Sequence, residues 1–392
     1  MNQIARFAAE PILEALHAKL PSVAPSVIEQ AIAIQQIPSP TFFEKQRAEY
    51  VRQRFESLGL ATTEIDDIHN VYGRLAGRDS TLPAVLVSAH TDTVFDADTR
   101  LATRHENGRI FGPGLGDNSL GVASLMALAE LLRDQQLPPD IWFVANSREE
   151  GMGNLDGIRA AYEKLASRIG TAIVIEGMAF GRVYHAGIAV RRLEITCRAA
   201  GGHSWLHFGQ ASAVHGLVRL AADITHLTVP VSPRTTYNIG VIEGGQSVNS
   251  IASKASLLLD MRSEAKSTLE ALEAQVRTLI DNHRNTDLEF EVKVVGDRPA
   301  GELPLSHPLA RLARDVLLYL GAQPVFEAGS TDANVLLAAG LPTVTIGITY
   351  GGNAHRLDEF IETTMIPQGL WQLILLAVGA ASGLAGQNLP LR

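Results

Sequence analysis

Three stretches of this chain are apolar without a break and stop abruptly on polar chemistry: Val85-Leu86-Val87, Ile141-Trp142-Phe143-Val144-Ala145 and Ala172-Ile173-Val174-Ile175. Short unbroken runs of β-branched and bulky residues predict strands covered on both faces. Pro83 marks where the first begins. The first run leads to His90 and Asp92, the second to Glu149 and Glu150, and the third to Glu176. Helical segments at 119 to 133 and 155 to 168 separate them, so the pattern predicts an α/β sheet. Ligands in such sheets lie beyond the carboxyl ends of the strands, and here each strand end carries an acid or an imidazole.

Upstream, Ile12, Leu13, Leu16 and Leu20 share one helical face, and Gln46 to Leu58 mixes charged and apolar residues at helical spacing. Ile37-Pro-Ser-Pro-Thr41 forms a turn between them, and residues 61 to 76 read as a strand pair. From Arg191 the texture changes to half-exposed alternation. Strands at Leu193–Arg198, Tyr237–Ile242, Ala255–Met261 and Leu288–Val295 interleave with helices at Ala211–Leu227 and Leu269–His283. That βαββαβ order is a ferredoxin-like unit, which packs one sheet face and leaves an edge for another subunit. After Pro304 the α/β texture resumes with a helix near Pro308–Leu320, a loop Gly329–Asn334, a strand Thr343–Ile346 and Gly351–Asp358. The smaller unit is therefore an insertion. No internal repeat or low-complexity segment is present.

At 392 residues the chain exceeds one ordinary core, which agrees with two domains. Its net charge of −9 offers no basic surface to a nucleic acid but suits small cations, metals above all. Cys197 stands alone, which excludes an internal disulfide and a thiolate-rich zinc site and fits a reducing cytoplasm. The N-terminus lacks the apolar core of an export signal. Leu370 to Gly386 is short for a membrane span and carries Trp371 and Gln372, so a buried helix is expected there.

His90 and Asp92 fall on the same side of an extended chain, a spacing suited to a metal ligand and the group that orients it. In Phe111-Gly-Pro-Gly-Leu-Gly-Asp-Asn118, three glycines at alternate positions let the backbone turn tightly before Asp117 and an apolar helix, Val122 to Leu132. A phosphate cradle is the rival reading of that loop. It lacks the P-loop lysine and the dinucleotide spacing, and an aspartate at the helix start would repel phosphate. Glu149 and Glu150, adjacent and alike in charge, would be relieved by a divalent cation.

Taken together, His90 and Asp92, Asp117-Asn118, Glu149-Glu150, Glu176 and His355 make the chain resemble the M20 metallopeptidase and amidohydrolase family over nearly its whole length. The resemblance implies an α/β, mixed-sheet di-zinc aminopeptidase-like catalytic domain at 1–190 and 304–392, with an inserted ferredoxin-like α+β lid and dimerisation domain at 191–303. It implies two divalent ions, zinc with cobalt or manganese as substitutes, bridged by Asp117. His90 and Glu176 would complete one metal, Glu150 and His355 the other. Glu149 would be the general base, Asp92 would orient His90, and a cis peptide would join Asp117 to Asn118. His203, in Gly201-Gly-His-Ser204, would reach a neighbouring subunit's site and stabilise the oxyanion. His203-Ser-Trp-Leu-His207 lacks the glutamate of a zincin helix. Arg262 would clamp a carboxylate, with pairing to Asp260 or Glu264 as the alternative, and Asn249 would touch substrate backbone. Ser330, with Thr331 and Asp332, borders the pocket or merely forms a turn.

The implied function is hydrolysis of an amide or peptide bond in a small peptide or N-acyl amino acid by a homodimer acting on neither nucleic acid nor membrane. Glu at 176, where dipeptidases and aminotripeptidases of the family carry Asp, points to a deacylase or carboxypeptidase-like preference. An aminopeptidase on di- and tripeptides is the alternative. A non-catalytic binding protein on the same fold and a nucleotide-binding enzyme are the readings from other classes. His185, His215, His226, His283 and His307 have no partner by spacing and are expected to be structural or superficial, and Cys197 a buried small hydrophobe.

Overall fold

The computed structural model describes residues 3–386. They form two compact units, one built from the residues up to Gly187 together with those from Gly301, the other from Ile188–Ala300. Both junctions fall slightly earlier than 191 and 303. Arg182–Gly187 and Gly301–Glu302 are neighbouring antiparallel strands of the larger unit, with Gly301 opposite Gly187. The chain thus leaves and re-enters at one place, which lets a whole domain be inserted without disturbing its host.

The sheet of the larger unit runs in the order Thr62–Ile65, Val71–Leu75, Ile141–Asn146, Ala84–His90, Ile169–Glu176, Thr343–Gly347, Arg182–Gly187 and Gly301–Glu302, with Val325–Gly329 also paired to Arg182–Gly187. Its central strands are parallel, and its outer ones pair antiparallel except Val325–Gly329, which is parallel to Arg182–Gly187, so the sheet is mixed. All residues of Ala84–His90 and Ile141–Asn146 are buried, as the unbroken apolar runs require. Leu120–Leu132 packs on these strands and buries every residue except Glu130. Pro11–Gln35 is a single helix whose buried Leu13, Leu16, Leu20, Ala24, Val27, Ala31 and Ile34 recur every three or four positions. Pro21 and Pro25 sit on its exposed side, where a missing N–H leaves no buried carbonyl stranded. Ile366–Ala381 is the buried C-terminal helix. No helix among the described residues is long and apolar enough to cross a membrane.

A feature without a local signature is a small sheet of Arg104–Glu106, Arg109–Phe111, Phe360–Glu362 and Gly351–Gly352. It pairs Phe360 with Phe111 and Ile361 with Ile110. This joins the segment after His355 to the one before Asp117.

The inserted unit has the ferredoxin-like strand order Thr235–Gly244, Lys254–Ser263, Ala189–Arg198, Glu289–Arg298. Helices Ala213–Thr225 and Lys266–His283 pack against it. Strand Lys254–Ser263 alternates buried and half-buried positions, placing Ala255, Leu257, Leu259 and Met261 in a core with Leu193, Ile195 and the buried Cys197.

Candidate metal centre

Register brings the strand-end residues together. His90 is opposite Asn146 in parallel pairing, Glu149 and Glu150 follow three and four residues later, and Glu176 is opposite Gly347. Asp117 arrives from the glycine-rich loop, and His355 from the loop beyond Gly351–Gly352, where it holds a positive φ of 65°.

The Asp117 carboxylate lies between the two imidazoles. Its Oδ1 is 3.1 Å from His90 Nε2 and its Oδ2 is 3.2 Å from His355 Nε2. Glu176 Oε2 lies 3.6 Å from His90 Nε2, and Glu150 Oε1 lies 3.1 Å from His355 Nε2. Two donor sets therefore share one residue: His90, Asp117 and Glu176, and Asp117, Glu150 and His355. Glu149 is grouped with His90 and Glu150 and is buried.

Asp92 is wholly buried and faces His90 with both its main chain and its carboxylate. The His90 Nδ1 is closer to the Asp92 main-chain oxygen, at 3.1 Å, than to its carboxylate, at 3.5 Å. The carboxylate also accepts the amides of Glu149 and Glu150, each at 2.9 Å, and the Thr41 hydroxyl at 2.9 Å. It thereby aims the two glutamates. Arg47 is buried behind this segment and donates to the carbonyls of Ile37, Thr91 and Gln35. Burial pulls its guanidinium down to about 10, opposed by the charge of Asp92. Glu44 accepts the amides of Phe42 and Arg148.

The peptide between Asp117 and Asn118 is cis. Asn118 donates to the Ile175 carbonyl and accepts from the Gly177 amide, both at 2.8 Å, tying the Asp117 loop to the strand that ends at Glu176. Two buried carboxylates complete the surroundings. Glu359 accepts the amides of Gly116 and Asp117. Asp332 Oδ2 accepts from the Asn146 side chain, through Nδ2 at 2.8 Å, while its Oδ1 meets no donor among the described residues. In sequence, nothing singles out Glu359, Arg47, Glu44 or Thr41, and Asp332 reads as a pocket-bordering or turn residue. Burial of a charged residue has no local signature except the absence of a compensating reason to be there.

These groups strain one another electrostatically. Burial, then the charge of Asp117, pushes Glu150 up to about 7, although the His355 hydrogen bond works the other way. Burial also pushes Glu176 up to about 7, against its bond to His90. His355 is raised to about 10 by its hydrogen bonds to Asp117 and Glu150. Burial alone would lower His90, yet Asp117, Asp92 and Glu176 hold it well above its ordinary value. Asp117, despite burial, is held well below the usual range by the two imidazoles. Carboxylates pushed up by burial and by one another, facing imidazoles raised by the same acids, form a donor set short of positive charge. Oxygen and nitrogen ligands in two overlapping groups fit a pair of hydrolytic divalent cations.

The inserted unit gathers its own candidates. His203 lies opposite Ser250 in the short pair Gly202–His203 with Ser250–Ile251, and its Nδ1 accepts the Trp205 and Leu206 amides at 3.2 and 3.4 Å. An accepting Nδ1 assigns the remaining proton of the neutral ring to Nε2. Asn249 adjoins it, accepting the Ser204 amide at 3.0 Å through its main-chain oxygen. Arg262 donates to Asp260 at 2.8 Å, the alternative partner that the sequence offered. In the larger unit, Thr331 takes the turn role by accepting the Ala333 amide, and Ser330 is half-buried beside it. His185 bonds the Leu303 carbonyl, His283 pairs with Asp223, His307 caps Pro308–Tyr319, and His215 and His226 are exposed.

A mixed sheet whose strand ends surround paired donor sets, with a ferredoxin-like insertion, defines a two-domain α/β hydrolase of the dinuclear-metal type. The model of peptidase family M20/M25/M40 matches residues 86–375, and the chain belongs to that family, whose members are metal-dependent hydrolases. It is 26% identical over 347 residues to succinyl-diaminopimelate desuccinylase of Corynebacterium glutamicum, covering 86% of this chain and 91% of that one. Among solved structures it is similar to aminopeptidase PepT of Bacillus cereus, with a TM-score of 0.74 at 20% identity, covering 91% and 99% of the two chains. It is also similar to a dinuclear metal binding peptidase of the family from Bacillus subtilis, with a TM-score of 0.67 at 16% identity, covering 94% and 99%.

Proposed function

We propose that the protein hydrolyses the amide bond of an N-acyl amino acid or small peptide, with Glu149 as general base. The observation that carries this is the placement of Asp117 between His90 and His355, at 3.1 and 3.2 Å, each imidazole with its own glutamate beside it. His90, Asp117 and Glu176 would hold one divalent cation and Asp117, Glu150 and His355 the other, zinc by preference. When bound, the pair would acidify a water and polarise the scissile carbonyl. Glu149 would take that water's proton as oxygen attacks the carbonyl carbon, then deliver it to the nitrogen as the C–N bond breaks. The amide aim given to Glu149 by Asp92 supports that role. His203 would donate through Nε2 to the tetrahedral oxyanion in a neighbouring subunit's site, and Arg262, Asn249 and Ser330 are the candidate substrate contacts.

Glutamate at 176 and the desuccinylase relative favour an N-acyl amino acid. The peptidase reading is the alternative, motivated by the fold shared with the Bacillus cereus aminopeptidase. Dimerisation would use the inserted unit, where Thr235–Gly244 is an edge strand with exposed Val241 and Ile242. A cytoplasmic location suits a chain whose single cysteine is free and buried. The test is elemental analysis of the purified protein followed by turnover of N-acyl amino acids against di- and tripeptides, with and without chelator. Two ions per chain and chelator-sensitive cleavage of the acyl compounds are expected. Chelator-insensitive activity, or none on either library, would refute the proposal.

A further inference from the structure

A glycine-rich loop opening a helix is a natural seat for an anion, and in this protein the carboxyl of its own Glu359, pushed up to about 7 by burial and the charge of Asp117, occupies that place. The Glu359 Oε1 accepts the Gly116 amide at 2.7 Å and the Asp117 amide at 3.0 Å, and its main-chain oxygen accepts the Gly112 amide at 2.8 Å. The residue is wholly buried. Asp117 has φ −114° and ψ 88°, outside the helical region. Glu359 therefore satisfies two amides at the point where the backbone must turn the Asp117 carboxylate toward both histidines. It also stands four residues after His355, on the segment that the Phe360–Phe111 pairing draws against the loop.

We infer that Glu359 is a positioning residue for the metal centre, clasping the segment that carries Asp117 to the segment that carries His355. This rests on the metal-centre reading above and adds an asymmetry to it. His90 and Glu176 end strands of the central sheet and should keep their places without Glu359. His355 is on a loop at positive φ with its side chain 53% exposed, and nothing so rigid holds it. Losing the clasp should weaken the Asp117, Glu150 and His355 group far more than the other.

The test uses the full chain with zinc, measuring ions bound per chain across a series of buffered free-metal concentrations, with a thermal melt of each variant. Glu359→Ala should weaken one of two ions by on the order of 10- to 100-fold, the range for loss of a group supporting a ligand, leaving one ion per chain at limiting zinc. Glu359→Gln keeps an oxygen for both amides and should stay within a few-fold of wild type. Glu359→Asp keeps the carboxyl but is one methylene too short, and should behave like Ala. If the alanine variant does not fold, the order Gln above Asp decides. Both ions retained at wild-type affinity in Glu359→Ala, or Gln losing as much as Ala or Asp, would overturn the inference. Wild-type protein that binds no metal would instead overturn the reading beneath it.

Discussion

Replacing Asp92 by asparagine exchanges one carboxylate oxygen for an N–H2 group with almost no change in volume. In the native chain one oxygen accepts from the Glu149 amide and the other from the Glu150 amide and Thr41, all at 2.9 Å. An asparagine in either orientation keeps one oxygen, so one main-chain amide must face another donor. The loss is one hydrogen bond to a charged acceptor, roughly 1.5–3 kcal/mol, and the stranded buried amide costs roughly 1–3 kcal/mol more. The expected total of about 4 kcal/mol corresponds to a melting temperature lower by on the order of 10 °C. Thr41→Ala, which removes one bond to the charged carboxylate and strands no amide, should cost only roughly 1.5–3 kcal/mol. Because the stranded amide belongs to Glu149 or Glu150, metal affinity or turnover should also fall, on the order of 10- to 100-fold. Calorimetric melts of metal-free and zinc-loaded protein, with zinc titration, measure both effects. An Asp92→Asn variant that melts with the wild type and binds zinc equally well would show that the carboxylate does not aim these glutamates.

Glu149→Gln should lower kcat by roughly 10²- to 10⁴-fold while both ions remain bound; unchanged kcat would remove Glu149 from the reaction. His203→Ala should lower kcat by roughly 10²- to 10³-fold without altering zinc stoichiometry, and unchanged kcat would dismiss the oxyanion role. Metal-free stability should fall as pH rises from about 5 to 8. Glu150 and Glu176, ordinarily near 4.5 and raised to about 7, bind protons in the folded chain that the unfolded chain has released, so that stabilisation is lost as pH climbs through 7. His355, raised from 6.5 to about 10, acts in the same direction, and the depressed Asp117 titrates below this window. Zinc should reverse the trend and bind more tightly at pH 8 than at pH 6, releasing protons. Melts that rise with pH without metal would contradict these assignments.

Much of the site was legible because each ligand-type residue stands at a place with a local signature. His90 and Glu176 end apolar runs, Glu149 and Glu150 follow one closely, and Asp117 stands between a glycine turn and an apolar helix. The ferredoxin-like order of the insertion was legible for the same reason, since alternation with period two and amphipathic helices record which face is buried. The sequence motif alone also recorded the resemblance that assigned His355 to the set.

Tertiary structure alone decided how these residues are held. Asp92 and His90 are two positions apart, and spacing suggests that one orients the other. Only the folded loop reveals that the carboxylate also accepts amides more than fifty residues away. Glu359 and Asp117 are 242 positions apart, and Arg47 lies on a helix that mixes charged and apolar residues. Periodicity along a chain reports which side of an element faces away from water. It carries nothing about which buried amide a distant carboxylate will meet, because that is set by strand register and loop closure across the whole domain.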